Sequence, residues 1–200
     1  MRKSPRAADL GPSSFSVVLA SQPRIGGPGT GAPEDDFEPI GLLAELATAH
    51  QRGWEGRWTL WIGDLQFSLD LSPESGQLEE FWVFLLELTD AAGGEWTLSS
   101  GVELLTLEGQ VYGPDVILDF ATEDDSGRFG GAVLPRKATV RLRALICSGT
   151  AFFRAFLKES CRIARGMNER ADLLGFYEDL DALEAAVADL PGTFRPKDGS

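Results

Sequence analysis

One group of side chains in this sequence could bind a hard metal ion. Glu123, Asp124 and Asp125 are consecutive, and Ser126 and Gly127 follow them. Ca²⁺ and Mg²⁺ prefer oxygen ligands, so a divalent cation bound by this chain would be expected here. The spacing does not match the EF-hand loop, however, and acidic runs in loops are usually solvated. We therefore predict a solvated turn and no metal site, with cation binding by the three carboxylates as the alternative.

The residue types that most catalytic and zinc sites require are scarce in this chain. His50 is the single histidine, and Cys147 and Cys161 are the two cysteines. Metalloprotease helices, zinc knuckles and Ser/His/Asp or Cys/His arrangements all need more of these residues. Asp115 and Asp119 could act as an acid–base pair only if one pocket held both. The sequence therefore predicts a protein that is not an enzyme and that needs no cofactor.

We predict structural roles for the histidine and the two cysteines. His50 falls in the last turn of a predicted helix, where a cation is stabilised by the helix dipole. Cys147 and Cys161 fall on a predicted strand and a predicted helix, and we interpret both as buried structural thiols. A disulfide or a reactive cysteine is the alternative.

The charge of the chain is strongly negative. It has 18 basic and 31 acidic residues, a net charge of −13. Residues 1–33 hold four basic residues and one acidic residue, a net +3, which leaves −16 for the rest. Phosphates would be repelled, so nucleic-acid binding is not expected. The remaining interpretations are a solvated surface or a basic protein partner attracted by the field.

The first 36 residues are rich in proline, glycine and serine, which predicts a flexible arm over residues 1–36. Within it, the apolar run Phe15–Ala20 has about six residues, fewer than the roughly 7–15 of a secretory signal. We expect a short strand or a disordered segment there. No run approaches about 18 apolar residues, so no membrane span is predicted and the expected location is the cytoplasm. Residues 37–190 are predicted to form a single domain, with a disordered tail at 191–200.

The segment Trp58–Leu71 predicts two antiparallel strands joined by a tight turn. Gly63-Asp64 is typical of a type II′ turn, which has glycine first. A turn there places the apolar residues of both strands on one face, and a shift of one residue would break this agreement. Trp61 falls on the other, polar face, where it is either core beneath a further element or an exposed contact for a partner. The opposed pairs are Ile62 with Leu65, Leu60 with Phe67, Trp58 with Leu69, and Arg57 with Asp70.

Four helices are predicted from apolar periodicity and from helix-end signals. Ser72 is expected to cap the second helix and Ser148 the third. The centre of the second helix, Phe81–Leu86, is apolar all round and must be covered on more than one side. The helices run from about Asp36 to before Gly53, from Ser72 to about Ala92, from Thr150 to Arg165, and from about Phe176 to Leu190.

Further strands are predicted between the second and third helices. In the last of them Arg141 and Arg143 share a face and are expected to pair with Asp119 on a neighbouring strand. Adjacent strands joined by tight turns indicate an α+β fold, an antiparallel sheet of about five to six strands with helices packed against it. The predicted strands are Glu95–Ser99, Val102–Leu107, Val111–Tyr112, Val116–Thr122 and Ala138–Cys147.

The last predicted helix separates apolar from acidic residues. Its apolar stripe, which includes Leu180 and Leu183, would pack against the body, so the acidic side must face outward. Carboxylates there would attract a basic protein, and Trp61 would add an aromatic anchor. The predicted partner-binding residues are Trp61, Glu178, Asp179, Asp181 and Glu184.

In its charge and its layout, the chain over residues 37–190 resembles the immunity proteins of bacterial polymorphic toxin systems. This resemblance implies a non-enzymatic protein that neutralises a cognate basic toxin or effector by stoichiometric binding. A scaffold or adaptor subunit of a larger bacterial assembly is the alternative, and the basic arm would suit it. An enzyme that uses Asp and Glu with a divalent metal is the third interpretation.

Overall fold

A computed structural model describes residues 13–23, 41–70, 76–100, 103–163 and 171–191. Antiparallel strands form sheets and the helices pack against them, which confirms the predicted α+β class. Within these ranges the elements are β1 (Phe15–Pro23), α1 (Leu42–Gly53), β2 (Trp54–Ile62), β3 (Leu65–Asp70), α2 (Gln77–Asp90), β4 (Gly93–Ser100), β5 (Glu103–Tyr112), β6 (Asp115–Thr122), β7 (Arg128–Phe129), β8 (Ala132–Val133), β9 (Lys137–Arg141), α3 (Leu142–Ile163) and α4 (Ala171–Ala186).

The described strands are divided among three sheets. One has the order β1-β2-β3, the second has the order β4-β5-β6-β9, and β7 pairs with β8. The first two sheets meet just before β1, where the backbone amide of Ser13 donates to the carbonyl oxygen of Thr139 at 2.6 Å. The first strand therefore starts against the last strand of the four-stranded sheet.

The predicted hairpin is confirmed in its turn and in its register. Gly63 has a φ of 60°, and Asp64 is not among the residues with positive φ, as a type II′ turn requires. Leu60 lies opposite Phe67 and Trp58 lies opposite Leu69. All four of these strand residues are buried, because the turn places both apolar sets on the core face.

The predicted arm over residues 1–36 is wrong for the part that forms β1, and of the two expectations for Phe15–Ala20 the short strand is confirmed. This strand pairs with β2 along its whole length, and Phe15 and Val17 are buried in the core. The alternation of apolar and outward-facing residues from Phe15 onward suits a half-buried strand, and β2 gains a partner for its second edge. Residues 1–12 and 24–40, like the predicted tail at 192–200, lie outside the described residues.

Two helices begin later than predicted. Before α1, Gly41 has a φ of 102°, which is not helical, so Leu42 is the first helical residue. Before α2, Gly76 has a φ of 64° and occupies the cap position, and Gln77 follows it. Asp36 and the predicted cap Ser72 lie outside the described residues. His50 lies in the last turn of α1, as predicted, and its side chain is outside the description.

The predicted strand Ala138–Cys147 is wrong in its second half. The strand β9 ends at Arg141, and Leu142 begins α3. Leu142, Leu145 and Ile146 are buried, and their spacing also fits one face of a helix. A short apolar run of this kind matches both periods, and in the fold these three residues face the core from the first turns of α3.

The predicted pairing of Asp119 with Arg141 and Arg143 is corrected by the register. Asp119 lies opposite Lys137 and forms an ion pair with it at 2.8 Å. Arg141 lies opposite Asp115 instead, also at 2.8 Å. Arg143 belongs to α3 and donates to the carbonyl oxygen of Leu190, at 3.0 Å.

The earlier start of α3 also changes the roles of Ser148 and Cys147. Ser148 does not cap the helix, because it lies inside it. Cys147 is exposed on the same helix, so the prediction of a buried thiol is wrong for this residue. Cys161 is buried as predicted, and both cysteines are free.

The core lies where the two larger sheets meet α2 and α3. Trp58 is fully buried, and its ring centroid lies 5.5 Å from that of Phe81, 5.6 Å from that of Trp96 and 5.1 Å from that of Phe152. These rings come from β2, α2, β4 and α3. The apolar centre of α2 is covered by this cluster on one side, and its Trp82 contacts Phe176 of α4 on another.

The helix α2 also covers the free edge of β4. Polar side chains on one side of the helix bind backbone groups of the edge strand, so that these groups are not left open to another chain. Gln77 donates to the carbonyl oxygen of Ser99 (3.1 Å), Glu80 accepts from the amide of Thr97, and Glu87 accepts from the amide of Glu95 (3.3 Å).

Candidate partner-binding surfaces

The helix α4 has the predicted orientation. Leu180 and Leu183 are buried against the body of the protein, and Phe176 contacts Trp82 of α2 with ring centroids 4.4 Å apart. Glu178 and Asp179 are exposed on the other side of the helix. The apolar stripe therefore packs inward and turns these carboxylates to solvent, as the periodicity requires.

The other two predicted binding carboxylates hold α4 to α3. Arg154 lies 2.6 Å from Asp181 and 3.4 Å from Glu184. Glu184 also accepts a hydrogen bond from the buried hydroxyl of Thr150 at 2.7 Å. The hydrogen bond to Asp181 is the main reason why the pKa of Arg154 is raised. Asp181 and Glu184 already have a cationic partner within the chain, so the open part of the predicted acidic site is Glu178 and Asp179.

Trp61 is not part of the core. Its side chain is 37% exposed, and it lies between Ser16 of β1 and Gln66 of β3 on the outer side of the three-stranded sheet. The helices pack on the opposite face of this sheet, through Trp58. The interpretation of Trp61 as core beneath a further element is therefore wrong for the described part of the chain.

Trp61 and α4 lie on different sides of the molecule. Trp58 points from the inner face of the sheet to Phe81 of α2 and Phe152 of α3, whereas Trp61 points the other way. Beyond α2 and α3, Phe176 attaches α4 to both helices, because it contacts Trp82 and Phe153. The predicted residues do not form one continuous surface.

The acidic segment Glu123–Asp125 forms a hydrogen-bonded turn after β6. The Oδ1 atom of Asp124 accepts a hydrogen bond from the amide of Ser126 at 3.0 Å, and bonds from Ser126 are the main reason why the pKa of Asp124 is lowered. Glu123 and Asp124 line a small cleft of about 160 Å³ together with Arg128. Among the described residues, no three acidic, histidine or cysteine side chains are placed to hold a metal ion.

The two aspartates considered as an acid–base pair are separated along one strand. Asp115 and Asp119 are four residues apart on β6, which corresponds to about 13 Å. Each is bound to its own cation on β9, Arg141 and Lys137 respectively. The geometry does not bring the two carboxyl groups into one pocket.

A surface that the sequence analysis missed is the outer face of the four-stranded sheet, defined by Glu95, Glu108, Gln110, Tyr112 and Asp119. Glu95 lies opposite Glu108, and Glu108 lies opposite Asp119, so three carboxylates stand in a row across β4, β5 and β6. Tyr112 is 57% exposed, and its hydroxyl donates to Gln110 at 2.9 Å. Gln110 in turn donates to Glu108 at 3.1 Å.

The signal for this face was the alternation along β5. Thr106, Glu108, Gln110 and Tyr112 occupy every second position, and Leu105 and Leu107 alternate with them into the core. The prediction divided this strand into two runs and left residues 108–110 in a turn. Gly109, which lies between the two predicted runs, is buried against Phe84 and Leu88 of α2, where a Cβ atom would lie within about 3 Å of both side chains. Glycine is therefore needed for close packing there and does not end the strand.

A cleft of about 550 Å³ opens between α3 and α4. Its lining combines Tyr177 and Cys161 with three basic residues, Arg154, Lys158 and Arg162. Burial raises the pKa of both Cys161 and Tyr177. Arg154 is bound by Asp181 and Glu184, and Arg162 is bound by Glu159 at 3.0 Å, so acidic neighbours compensate much of the positive charge.

No helix within the described ranges combines the length and the apolar character needed to cross a membrane. Comparison of the chain with protein-family models, with curated proteins and with solved structures found no match.

Proposed function

We propose that this chain is a non-enzymatic acidic binding protein of the immunity type, which neutralises a cognate basic toxin or effector in the bacterial cytoplasm by stoichiometric binding. The observation that carries this proposal is the charge of the described surface. Fourteen acidic residues are exposed there, against five basic ones. Such a surface attracts basic proteins over distances of about 10 Å at moderate ionic strength, and it accelerates their encounter.

The fold supports a role as a rigid binding surface. The elements that display these carboxylates are held by a buried aromatic cluster and by internal ion pairs. Binding to a preorganised surface loses less conformational entropy than binding that must first order the contact residues. Partner recognition by charge is therefore compatible with a stable one-to-one complex.

The test begins with affinity capture from a lysate of the organism that encodes the chain, followed by identification and purification of the captured protein. We expect a basic protein that binds with a stoichiometry of one to one in calorimetry and whose toxicity in cells is suppressed by coexpression of this chain. Its association rate should fall by about tenfold or more as the salt concentration rises, while its dissociation rate changes less. The proposal would be contradicted by a partner whose association rate does not depend on the salt concentration, or by one whose toxicity is not reduced by coexpression of this chain.

Charge reversal tests whether the acidic surface is used for binding. The variants are chosen from residues without a structural role. Glu178→Lys and Asp179→Lys change exposed carboxylates of α4 and should leave the fold intact. Changes at Asp181 or Glu184 would also break the contacts with Arg154 and so confuse binding with stability. Recovery of several proteins in a fixed ratio, instead of one inhibited partner, would favour the scaffold or adaptor function.

A further inference from the structure

The outer face of the four-stranded sheet carries negative charge that no described side chain compensates. Glu95 and Glu108 are exposed and directly opposite on neighbouring strands, and no described cation contacts either carboxylate. Like charges in opposed positions on a sheet destabilise it. By contrast, Asp119 is paired with Lys137. The uncompensated charge is therefore concentrated on β4 and β5.

Neighbouring carboxylates of α2 add to this charge. Glu80 accepts a hydrogen bond from the amide of Thr97, and the Oε2 atom of Glu87 accepts one from the amide of Glu95. Burial raises the pKa of Glu80, and repulsion from Glu79 and Glu95 raises it further. The negative field thus extends from the β4 edge of the sheet onto α2, and a cationic group placed there would relieve several repulsions at once.

The side chains of β5 on this face hydrogen-bond to one another. Tyr112 donates to Gln110, and Gln110 donates to Glu108, so three alternate residues form one hydrogen-bonded row. These bonds favour one arrangement of the row, which lowers the entropy that a partner would have to remove. The exposed ring of Tyr112 supplies the type of aromatic side chain that often dominates the binding energy of a protein interface.

We infer that this outer face is the contact surface for a basic protein partner, which places lysine or arginine side chains against Glu95 and Glu108 and packs against the ring of Tyr112. The strand spacing places the Cβ atoms of Glu95 and Glu108 about 5 Å apart, and Glu108 and Tyr112 are about 13 Å apart along β5. The matching partner segment carries cations at these spacings and an apolar or guanidinium group that covers the ring. This inference rests on the proposed function and specifies which surface of the protein binds the partner.

A defined cationic probe tests the location. The probe is a synthetic 12-residue peptide in which arginine and threonine alternate, and the control peptide carries citrulline in place of arginine. We expect the arginine peptide to shift the backbone amide resonances of β4 and β5 in the full-length, isotope-labelled protein. The double variant Glu95→Gln/Glu108→Gln should weaken its binding by about tenfold, because both opposed charges are removed without a change of shape.

The matched control is Glu123→Gln/Asp125→Asn, which removes two exposed acidic charges from the turn after β6 and should change the affinity by less than about twofold. Equal weakening by both double variants, or shifts confined to α4, would overturn the location and leave the proposed function standing. If the arginine peptide fails to bind at low salt, the inference falls, whereas the proposed function is still decided by the captured partner. The triple variant Arg2→Gln/Lys3→Gln/Arg6→Gln is measured without peptide. If its amide resonances on this face differ from those of wild type, the chain's own N-terminal segment contacts the face, and the inference is overturned.

Discussion

The hydroxyl oxygen of Ser148 accepts a hydrogen bond from the backbone amide of Val17 at 2.8 Å, although the two residues are 131 positions apart. Ser148 lies in α3, and Val17 lies on β1, which is an edge strand of its sheet. The bond closes part of that edge and fastens the first strand to the helix. The side chains of α2 protect β4 in the same way, so both larger sheets have an edge that is capped by a helix.

Replacing Ser148 with alanine should destabilise the protein by about 1–3 kcal/mol, because the amide of Val17 would be left without its acceptor in a partly buried position. Urea denaturation of both proteins measures this loss, and hydrogen exchange at Val17 should accelerate. The control Ser68→Ala, on the exposed side of β3, should change stability by less than about 0.5 kcal/mol. Equal effects of the two substitutions would show that the bond to Val17 contributes little.

The strand β1 should contribute substantially to stability. Phe15→Ala removes a buried ring and should lower the free energy of unfolding by about 3 kcal/mol. Val18→Ala, on the outward side of the same strand, should cost less than about 1 kcal/mol. Chemical denaturation of both variants makes the comparison. A stable protein after deletion of residues 1–23 would contradict the role of this strand, whereas deletion of residues 1–12 alone is expected to be tolerated.

The two tryptophans of β2 should respond differently to truncation. Trp58→Ala empties the centre of the aromatic cluster and should cost about 3–5 kcal/mol. Trp61→Ala removes cross-strand contacts on the outer side of the sheet and should cost about 1 kcal/mol or less. Thermal and urea unfolding distinguish them. If Trp61→Ala left stability intact but weakened the binding of a purified partner by about 2 kcal/mol or more, Trp61 would be an interface anchor.

The pH dependence of stability should reveal the titration of the Glu79 carboxyl group. Burial raises the pKa of its carboxyl group above 4.5, although the amides of Glu79 itself and of Ala44 partly oppose the shift. Because the folded pKa is the higher one, the stability linked to this group is fully present below about pH 4.5 and is lost as the pH rises through the folded pKa. Glu79→Gln stays neutral and keeps an acceptor oxygen. We therefore expect the variant to gain stability over wild type as the pH rises.

Urea midpoints of wild type and Glu79→Gln at about pH 4 and about pH 7 measure this difference. The two proteins should be nearly equal at the lower pH, and the variant should be the more stable at the higher pH. Glu178→Gln, which changes an exposed carboxylate, serves as the control and should show no comparable trend. A constant difference between wild type and Glu79→Gln across the range would contradict the titration of Glu79.

Local patterns were sufficient to predict several elements. The turn at Gly63 and the pairing of Leu60 with Phe67 follow from alternation and turn chemistry within one short segment. The orientation of α4 follows from a helical stripe that includes Leu180 and Leu183. Each of these features depends on residues close in sequence, so periodicity carries the information. The α+β class follows from the order of such elements.

The limits of local patterns are visible at Leu142 and at Gly109. From Leu142 onward the apolar spacing fits a strand and a helix equally well over a few residues, and packing against the core selected the helix. Gly109 resembles a turn residue in sequence, whereas in the fold it allows Phe84 to approach β5 closely. In both places a contact with a distant element decided the local structure.

By itself, therefore, the sequence determined the hairpin, the acidic character of the chain and the outward direction of Glu178 and Asp179. Only the tertiary structure decided which carboxylates are free to bind a partner. Arg154 neutralises Asp181 from another helix, and strand register aligns Glu95 with Glu108. Pairing between separate elements is set by how the whole chain packs, because the electrostatic energy of a side chain depends on the charges beside it in space rather than in sequence.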